Sequence, residues 1–254
     1  MPTICEIFDA LAAMAPLELQ ASFDNSGFLL GRPDREVHRV LLALDITETV
    51  IREAEELDAQ LIVSHHPLLF HPLKSLTADG PGMKPLLLAE KGIGAICMHT
   101  NLDIVRGGVN DVLIRLLGAS DEGTLDEEGC GRWGCLPEPL PLMSFLARCK
   151  EVLQAKGLRY VDAGKPVRRL AVMGGSGGDA LLCAAEKGCD TYVTSDIKYH
   201  SFLDAGELGI NLIDADHFCT ENPVIPVLAQ RLREAFPETE FVVSRKHGPV
   251  ISFF

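Results

Sequence analysis

The strongest constraint on the fold is an internal repeat. Ala54–Ser64 and Ala184–Thr194 follow one pattern: the end of a helix, a turn, then a short apolar strand. Glu90–Ile96 and Glu207–Ile213 follow a second shared pattern of the same kind. Both halves therefore read strand–helix–strand–turn–helix–strand. Short apolar runs alternating with helical periodicity predict α/β units with largely parallel sheets. A repeat of such units predicts two similar α/β lobes, products of one duplication.

Strands are expected at Val37–Leu44, Leu61–Ser64, Ile93–Met98, Arg169–Met173, Thr191–Thr194, Ile210–Asp214, Phe241–Ser244 and Val250–Phe253. Thr47 is placed to cap a helix over Glu48–Leu57. Gly92 and Gly118 are placed to end helices over Pro85–Lys91 and Val109–Leu117. Further helices are expected at Leu142–Lys156, Asp179–Lys187, His200–Leu208 and Val224–Phe236. Gly118–Pro141 is rich in Gly, Pro and acidic residues and reads as a boundary. The expected organisation is a first lobe over 1–120, a connection over 121–140 and a second lobe over 141–254.

Composition narrows the function classes. The 254 residues carry 23 Lys+Arg against 36 Asp+Glu, a net charge of −13. A surface this acidic argues against broad nucleic-acid binding and against adhesion to an anionic membrane. Eight cysteines with no C-x-x-C pair read as free thiols in a reducing cytosol. No apolar run approaches the length of a membrane span, and residues 1–15 lack the basic start of a secretion signal. The expected location is cytoplasmic.

Ligands of open parallel sheets gather beyond the carboxyl ends of the strands. Half of the eight histidines fall there: His65 and His66 after Ser64, His99 after Met98, and His217 after Asp214. Carboxylates accompany them at Asp103 and Glu221. Imidazole and carboxylate suit borderline and hard divalent cations. His65 and His66, if the strand ran on, would point to opposite sides, so two ions could each take one. His217 and Glu221 are four apart and share one face of a helical turn. Three nitrogens and two carboxylates suffice for two ions with positions left open, as catalytic sites require. All-nitrogen-and-oxygen ligation admits zinc, manganese, iron or cobalt.

Several ordered motifs also resemble a known family. These are Asp24-Asn25-Ser26-Gly27 leading to Gly31, Ser64-His65-His66-Pro67 leading to Lys74, and His99-Thr100-Asn101-Leu102-Asp103 with Gly107–Asp111. Ser195–His200 follows, and then Asp216, His217 and Glu221. Together they are similar to the Nif-three-like dinuclear metal-binding family, many members of which are called GTP cyclohydrolase type I, second form. The resemblance runs from the first helix to the C-terminus and matches the short form, which lacks an inserted central domain. It implies two similar α/β lobes with the metal site in the cleft between them, and two divalent ions per chain held by His65, His66, Asp103, His217 and Glu221. It further implies a toroidal homohexamer and a small, nucleotide-like substrate. His71 stands where many members carry other residues and is read as an extra loop residue. Asp196 stands where Glu is common.

Other residues carry more than one reading. The resemblance places His200 near the metals, where it would act as general acid or base or else cap a helix. His99 supports the ligands or transfers a proton. Asp24, Asn25 and Lys198 are candidates for substrate contact, with turn chemistry the plainer role of the first two. Gly174–Gly178 precedes a helix and would either cradle a phosphate or permit tight strand–helix packing. It lacks the Gly-Lys-Ser/Thr ending of a nucleotide loop, and Asp179 would repel an anion. Cys97 and Cys219 read as packing residues, and Phe253-Phe254 as an edge or interface pair.

The functional expectation is a dinuclear metal-dependent hydrolase with Glu221, His200 and His99 as catalytic candidates. The alternatives are a non-catalytic metal-storage or partner-binding protein and a metal-dependent phosphoesterase.

Overall fold

The computed structural model describes residues 1–254. It resolves into two compact units that the chain enters more than once: Met1–Val105 with Ile225–Gly248, and Arg106–Val224 with Pro249–Phe254.

The first unit contains α1 (Ile4–Met14), β1 (Gly27–Leu30), β2 (Arg39–Ala43), α2 (Glu48–Glu56), β3 (Leu61–Ser64), α3 (Met83–Lys91), β4 (Gly94–Cys97) and α4 (Thr100–Ile104). The second contains α5 (Val109–Leu116), β5 (Gly123–Thr124), β6 (Arg132–Leu140), α6 (Leu142–Val152), β7 (Arg159–Val161), β8 (Val167–Ser176), α7 (Leu181–Glu186), β9 (Thr191–Ser195), α8 (Tyr199–Leu208), β10 (Asn211–Asp214) and α9 (His217–Glu221). The chain then returns to the first unit through α10 (Val224–Ala235) and β11 (Glu240–Val243).

Local signals set the boundaries. Thr3 and Glu6 form a reciprocal capping box on α1, which buries Ile4, Ile7 and Leu11. Thr47 Oγ1 accepts the Val50 amide at the start of α2, 3.2 Å away. Gly92 ends α3 in the left-handed conformation, φ 65°, as its lack of a Cβ permits.

The first sheet runs β1-β4-β3-β2-β11, with β2, β3, β4 and β11 parallel and β1 antiparallel at the edge. The second runs β5-β6-β8-β9-β10-β7, with β8, β9 and β10 parallel and flanked by antiparallel strands. Every residue of β3, β4, β9 and β10 is buried, as expected where helices cover both faces. Alternate residues of the second sheet feed two cores. Leu170, Val172, Val193 and Ile213 pack with Leu113, Phe145 and Cys149, whereas Ala171, Met173, Tyr192 and Leu212 pack with Leu181, Ala184 and Ala205.

The sequence reading needs three corrections. Gly118–Pro141 is not a connection, because it supplies β5 and β6, and β6 pairs with β8. The lobe ending at 254 is interrupted: Phe241 pairs with Val40, so β11 extends the first sheet. Val250–Phe253 forms no strand; Phe253 instead lies against Gly157. The first two errors share a cause. A strand's partner is chosen by long-range register, which local composition does not reveal. All eight cysteines are free thiols, and no helix is long and apolar enough to cross a membrane.

A buried ion pair ties the Gly107–Asp111 motif into the second unit. Arg132 is fully buried and its Nε donates to Asp111 Oδ1, while its Nη1 reaches the carbonyls of Gly129 (2.9 Å) and Gly131 (2.7 Å). Asp111 Oδ2 also accepts the Gly107 amide at 2.7 Å. Removing one member strands a charge away from water. Asp111→Ala should therefore destabilise the protein by about 3–5 kcal/mol. For a chain of this size that corresponds to a fall in melting temperature on the order of 10 °C. Thermal unfolding followed by circular dichroism measures it, and a melting point equal to wild type would refute the assignment.

Candidate metal centre

In the first unit β3 ends at Ser64 and the chain bends, so His65 and His66 leave strand geometry at once. Their rings do not splay to opposite sides; the centroids lie 5.0 Å apart. His99, at the N-terminus of α4, completes a triangle 5.2 Å from His65 and 5.4 Å from His66. One ring nitrogen from each of the three lies within 4.8 Å of the others. Asp103, one turn along α4, places Oδ1 3.6 Å from His65 Nε2.

Each imidazole is gripped at Nδ1. His65 Nδ1 meets the Met98 carbonyl at 2.9 Å, His66 Nδ1 meets Asp45 Oδ1 at 2.7 Å, and His99 Nδ1 meets Asp24 Oδ1 at 2.7 Å. A carbonyl only accepts, so His65 Nδ1 carries the proton and its Nε2 presents a lone pair. Carboxylates at Nδ1 of the other two favour the same tautomer. Nitrogen lone pairs brought together beside a carboxylate form a donor set that suits a divalent cation.

The second unit carries a matching pair. Asp196 Oδ2 holds His217 Nδ1 at 2.7 Å, and His217 Nε2 lies 3.0 Å from Glu221 Oε2 across one turn of α9. Two acceptors so close require a proton or a cation between them. The i,i+4 expectation for this pair therefore holds.

The supporting carboxylates are strongly engaged. Burial alone would raise the Asp24 carboxyl. Hydrogen bonds from His99 and Thr100, and the charge of His99, outweigh burial and hold it well below the usual carboxylate range. Asp24 also accepts the Asn25 amide and the Ser26 hydroxyl, and its side chain is fully buried. It acts as an anchor for His99. Asp45 behaves alike: burial raises it, and hydrogen bonds from His247 and His66 then depress it below its ordinary range.

A family model described as Duf34/NIF3 (NGG1p interacting factor 3) matches residues 2–249. The chain belongs to the Duf34/NIF3 family. It is 36% identical over 250 residues to a Clostridium perfringens protein named GTP cyclohydrolase 1 type 2 homolog, covering 95% of each chain. Its fold is similar to a Bacillus cereus protein related to NIF3, with TM-score 0.92, 25% identity, and coverage of 100% of this chain and 99% of that one. A Staphylococcus aureus hypothetical protein matches at TM-score 0.92 and 29% identity, over 99% of both chains.

In this NIF3-family chain the glycine loop makes room for the Glu221 side chain. Gly175 has φ 66°, and a Cβ there would overlap the Glu221 carboxylate and sit 3.2 Å from His217 Nε2. Three of the loop amides are committed to protein acceptors: Gly174 N–H donates to Asn110 Oδ1, Gly175 N–H to Thr220 Oγ1 and Gly177 N–H to Thr194 Oγ1. Of the two readings of Gly174–Gly178, tight packing is the one the structure supports. Gly175 is bare so that Glu221 and His217 can approach the backbone.

The remaining candidates fall outside these groups. His200 is exposed in the first turn of α8, with its ring 5.7 Å from Tyr199, and Lys198 is exposed just before that helix. Asn25 is exposed, and its Nδ2 donates to the Leu69 carbonyl at 2.5 Å. His71 is exposed beside Phe70. Burial raises the Cys97 thiol well above its ordinary value, and burial and Asp216 push Cys219 up to about 12. Both stay protonated and serve as packing residues.

Sequence reasoning missed Asp45 and His247 and treated Asp196 only as a departure from Glu. Asp45 and Asp196 each follow a strand closely, so the strand-end criterion that found the histidines also covers them. His247 reaches Asp45 Oδ2 at 2.9 Å across some two hundred residues, and nothing local marks it.

Gly175→Ala should displace Glu221 and His217. Elemental analysis after metal loading and desalting should show at least a tenfold loss of metal affinity, the range seen when supporting contacts of a site are broken. Unchanged affinity would show that the loop is only a spacer.

Proposed function

We propose that this protein is a dinuclear metal-dependent hydrolase of a small, nucleotide-like substrate, with His65, His66, Asp103, His217 and Glu221 as metal ligands. The observation that carries the proposal is the uniform grip on Nδ1, which leaves Nε2 as the lone-pair side of each ring. Zinc, manganese, iron and cobalt all suit such donors. Divalent cations held there supply Lewis acidity and acidify water at neutral pH.

The chain's own residues take the remaining roles. His99 accepts or returns a proton at Nε2, with Asp24 stabilising the imidazolium through Nδ1. Asp24 thereby positions a base and does not contact substrate. Glu221 combines ligation with general-base chemistry, and Asp196 orients His217. Asn25 and Lys198 are the proposed substrate contacts, and His200 is a second proton donor. The names of the relatives point to GTP, whose hydrolysis at the purine C8 releases that carbon as formate.

The test is a chromatographic assay of GTP with protein reconstituted in turn with zinc, manganese, iron and cobalt. Formate release that falls at least a hundredfold in Glu221→Gln, with metal retained, is the expected result. Phosphate release instead would make the protein a phosphoesterase. Two bound ions without turnover of any kind would make it a metal-storage or partner-binding protein.

The family likeness also carries the proposal of a cytoplasmic homohexamer. Light scattering should then return about six times the 27.6 kDa chain mass. A 27.6 kDa species at working concentration would overturn it.

A further inference from the structure

Two aromatic side chains stand in solvent at the edge of the histidine triangle. Phe23 is 67% exposed and Phe70 is 40% exposed, and their ring centroids lie 6.4 Å apart. Phe70 is also 6.2 Å from the His99 ring, the same ring that neighbours His65 and His66. A single exposed apolar residue needs no explanation. Paired aromatics beside a cluster of metal-ligating nitrogens are a different matter.

The loops that carry the pair are also held in place. Asn25 Nδ2 donates to the Leu69 carbonyl, so the residue after Asp24 is tied to the residue before Phe70. Thr100 clamps the other side: its Oγ1 accepts the Ala21 amide at 2.9 Å, and its own amide and hydroxyl donate to Asp24. Two loops far apart in sequence are thus fixed in the backbone beside the two rings. Pre-organisation of this kind lowers the cost of binding.

We infer that Phe23 and Phe70 form a stacking shelf for the planar nitrogen heterocycle of the substrate, a fused bicyclic base such as a purine. The inference rests on the metal-hydrolase reading and adds the residues that select the ring. Aromatic faces attract planar π systems whatever their sequence or sugar. The rim of the shelf is polar, with Asn25, His71 and His99, and so suits a ring whose edge carries nitrogen and oxygen atoms better than an alkyl chain. The two rings are 6.4 Å apart and tilted by 51°, so a fused bicyclic base lies flat on one ring and meets the other at its edge. The shelf adjoins His99, so a base seated on it lies next to the proposed proton-transfer residue.

Calorimetric titration of the full-length, zinc-loaded protein tests this, with guanosine as probe and ribose 5-phosphate as the ringless comparator. Metal per chain is measured on every sample. Guanosine should bind. Phe70→Leu and Phe23→Leu, which keep apolar bulk and lose the π face, should each weaken it about tenfold. Phe70→Trp should keep or improve it, and affinity for ribose 5-phosphate should not change.

Equal guanosine affinity in wild type and both leucine variants would overturn the shelf. So would a change in particle size by light scattering with guanosine binding unaltered, because the pair would then be a contact between copies of the chain. The two readings fail separately. Metal bound without guanosine affinity removes the shelf and leaves the hydrolase. Guanosine affinity that depends on Phe70 in a protein unable to hold zinc, manganese, iron or cobalt removes the hydrolase and leaves the shelf.

Discussion

The grip on Nδ1 is the contact on which the rest of the centre depends. An imidazole has two nitrogens, and which one offers a lone pair is decided by what the other touches. Here Met98 O, Asp45, Asp24 and Asp196 make that decision for His65, His66, His99 and His217. The grip reaches back into the sheet. Met98 N–H donates to Ser64 O, one step beyond the β3–β4 ladder, and this places the Met98 carbonyl for His65. The site inherits its precision from ordinary parallel pairing. Carboxylates fix the other three imidazoles because they both accept strongly and balance the positive charge gathered at the ring.

The same contact explains what could be read from the sequence and what could not. Strand ends were legible because a buried parallel strand is an apolar run followed by polar residues, and this placed His65, His66, His99 and His217 correctly at the carboxyl ends. The i,i+4 pair His217 and Glu221 was legible because helical spacing is local. The relative direction of His65 and His66 was not. It depends on the strand stopping at Ser64, where the Ser64 hydroxyl bonds the His66 carbonyl at 2.7 Å and bends the chain. His247 and the return of β11 to the first sheet were illegible for a different reason: both are long-range pairings, fixed by packing and register and not by neighbouring residues.

The repeat can now be compared position by position. Ser64 pairs with Cys97 in the first sheet, and Thr194 pairs with Asp214 in the second. One residue further on, Met98 N–H donates to Ser64 O and Ala215 N–H donates to Thr194 O. The backbones are therefore equivalent at the strand ends, and a short helical turn follows in each unit, α4 in one and α9 in the other. The side chains are not equivalent. At the positions of His65 and His66, which follow β3, the second unit has Ser195, the last residue of β9, and Asp196.

This substitution of roles shows what the fold contributes. In the first unit the residues after the middle strand supply the donor nitrogens. In the second, the residue at the place of His66 is Asp196, which supplies no nitrogen but orients His217. Ser195 Oγ donates to Gly175 O, bracing the loop that makes room for Glu221. One backbone frame thus carries imidazoles in one unit and, at the equivalent positions of the other, residues that hold an imidazole or brace a loop. A frame of this kind guarantees only that polar side chains converge where parallel strands end. Whether they bind a metal follows from the tautomer each imidazole is forced to adopt, and that is settled by single residues such as Asp45 and Asp196, so function here has to be argued residue by residue and not from the fold.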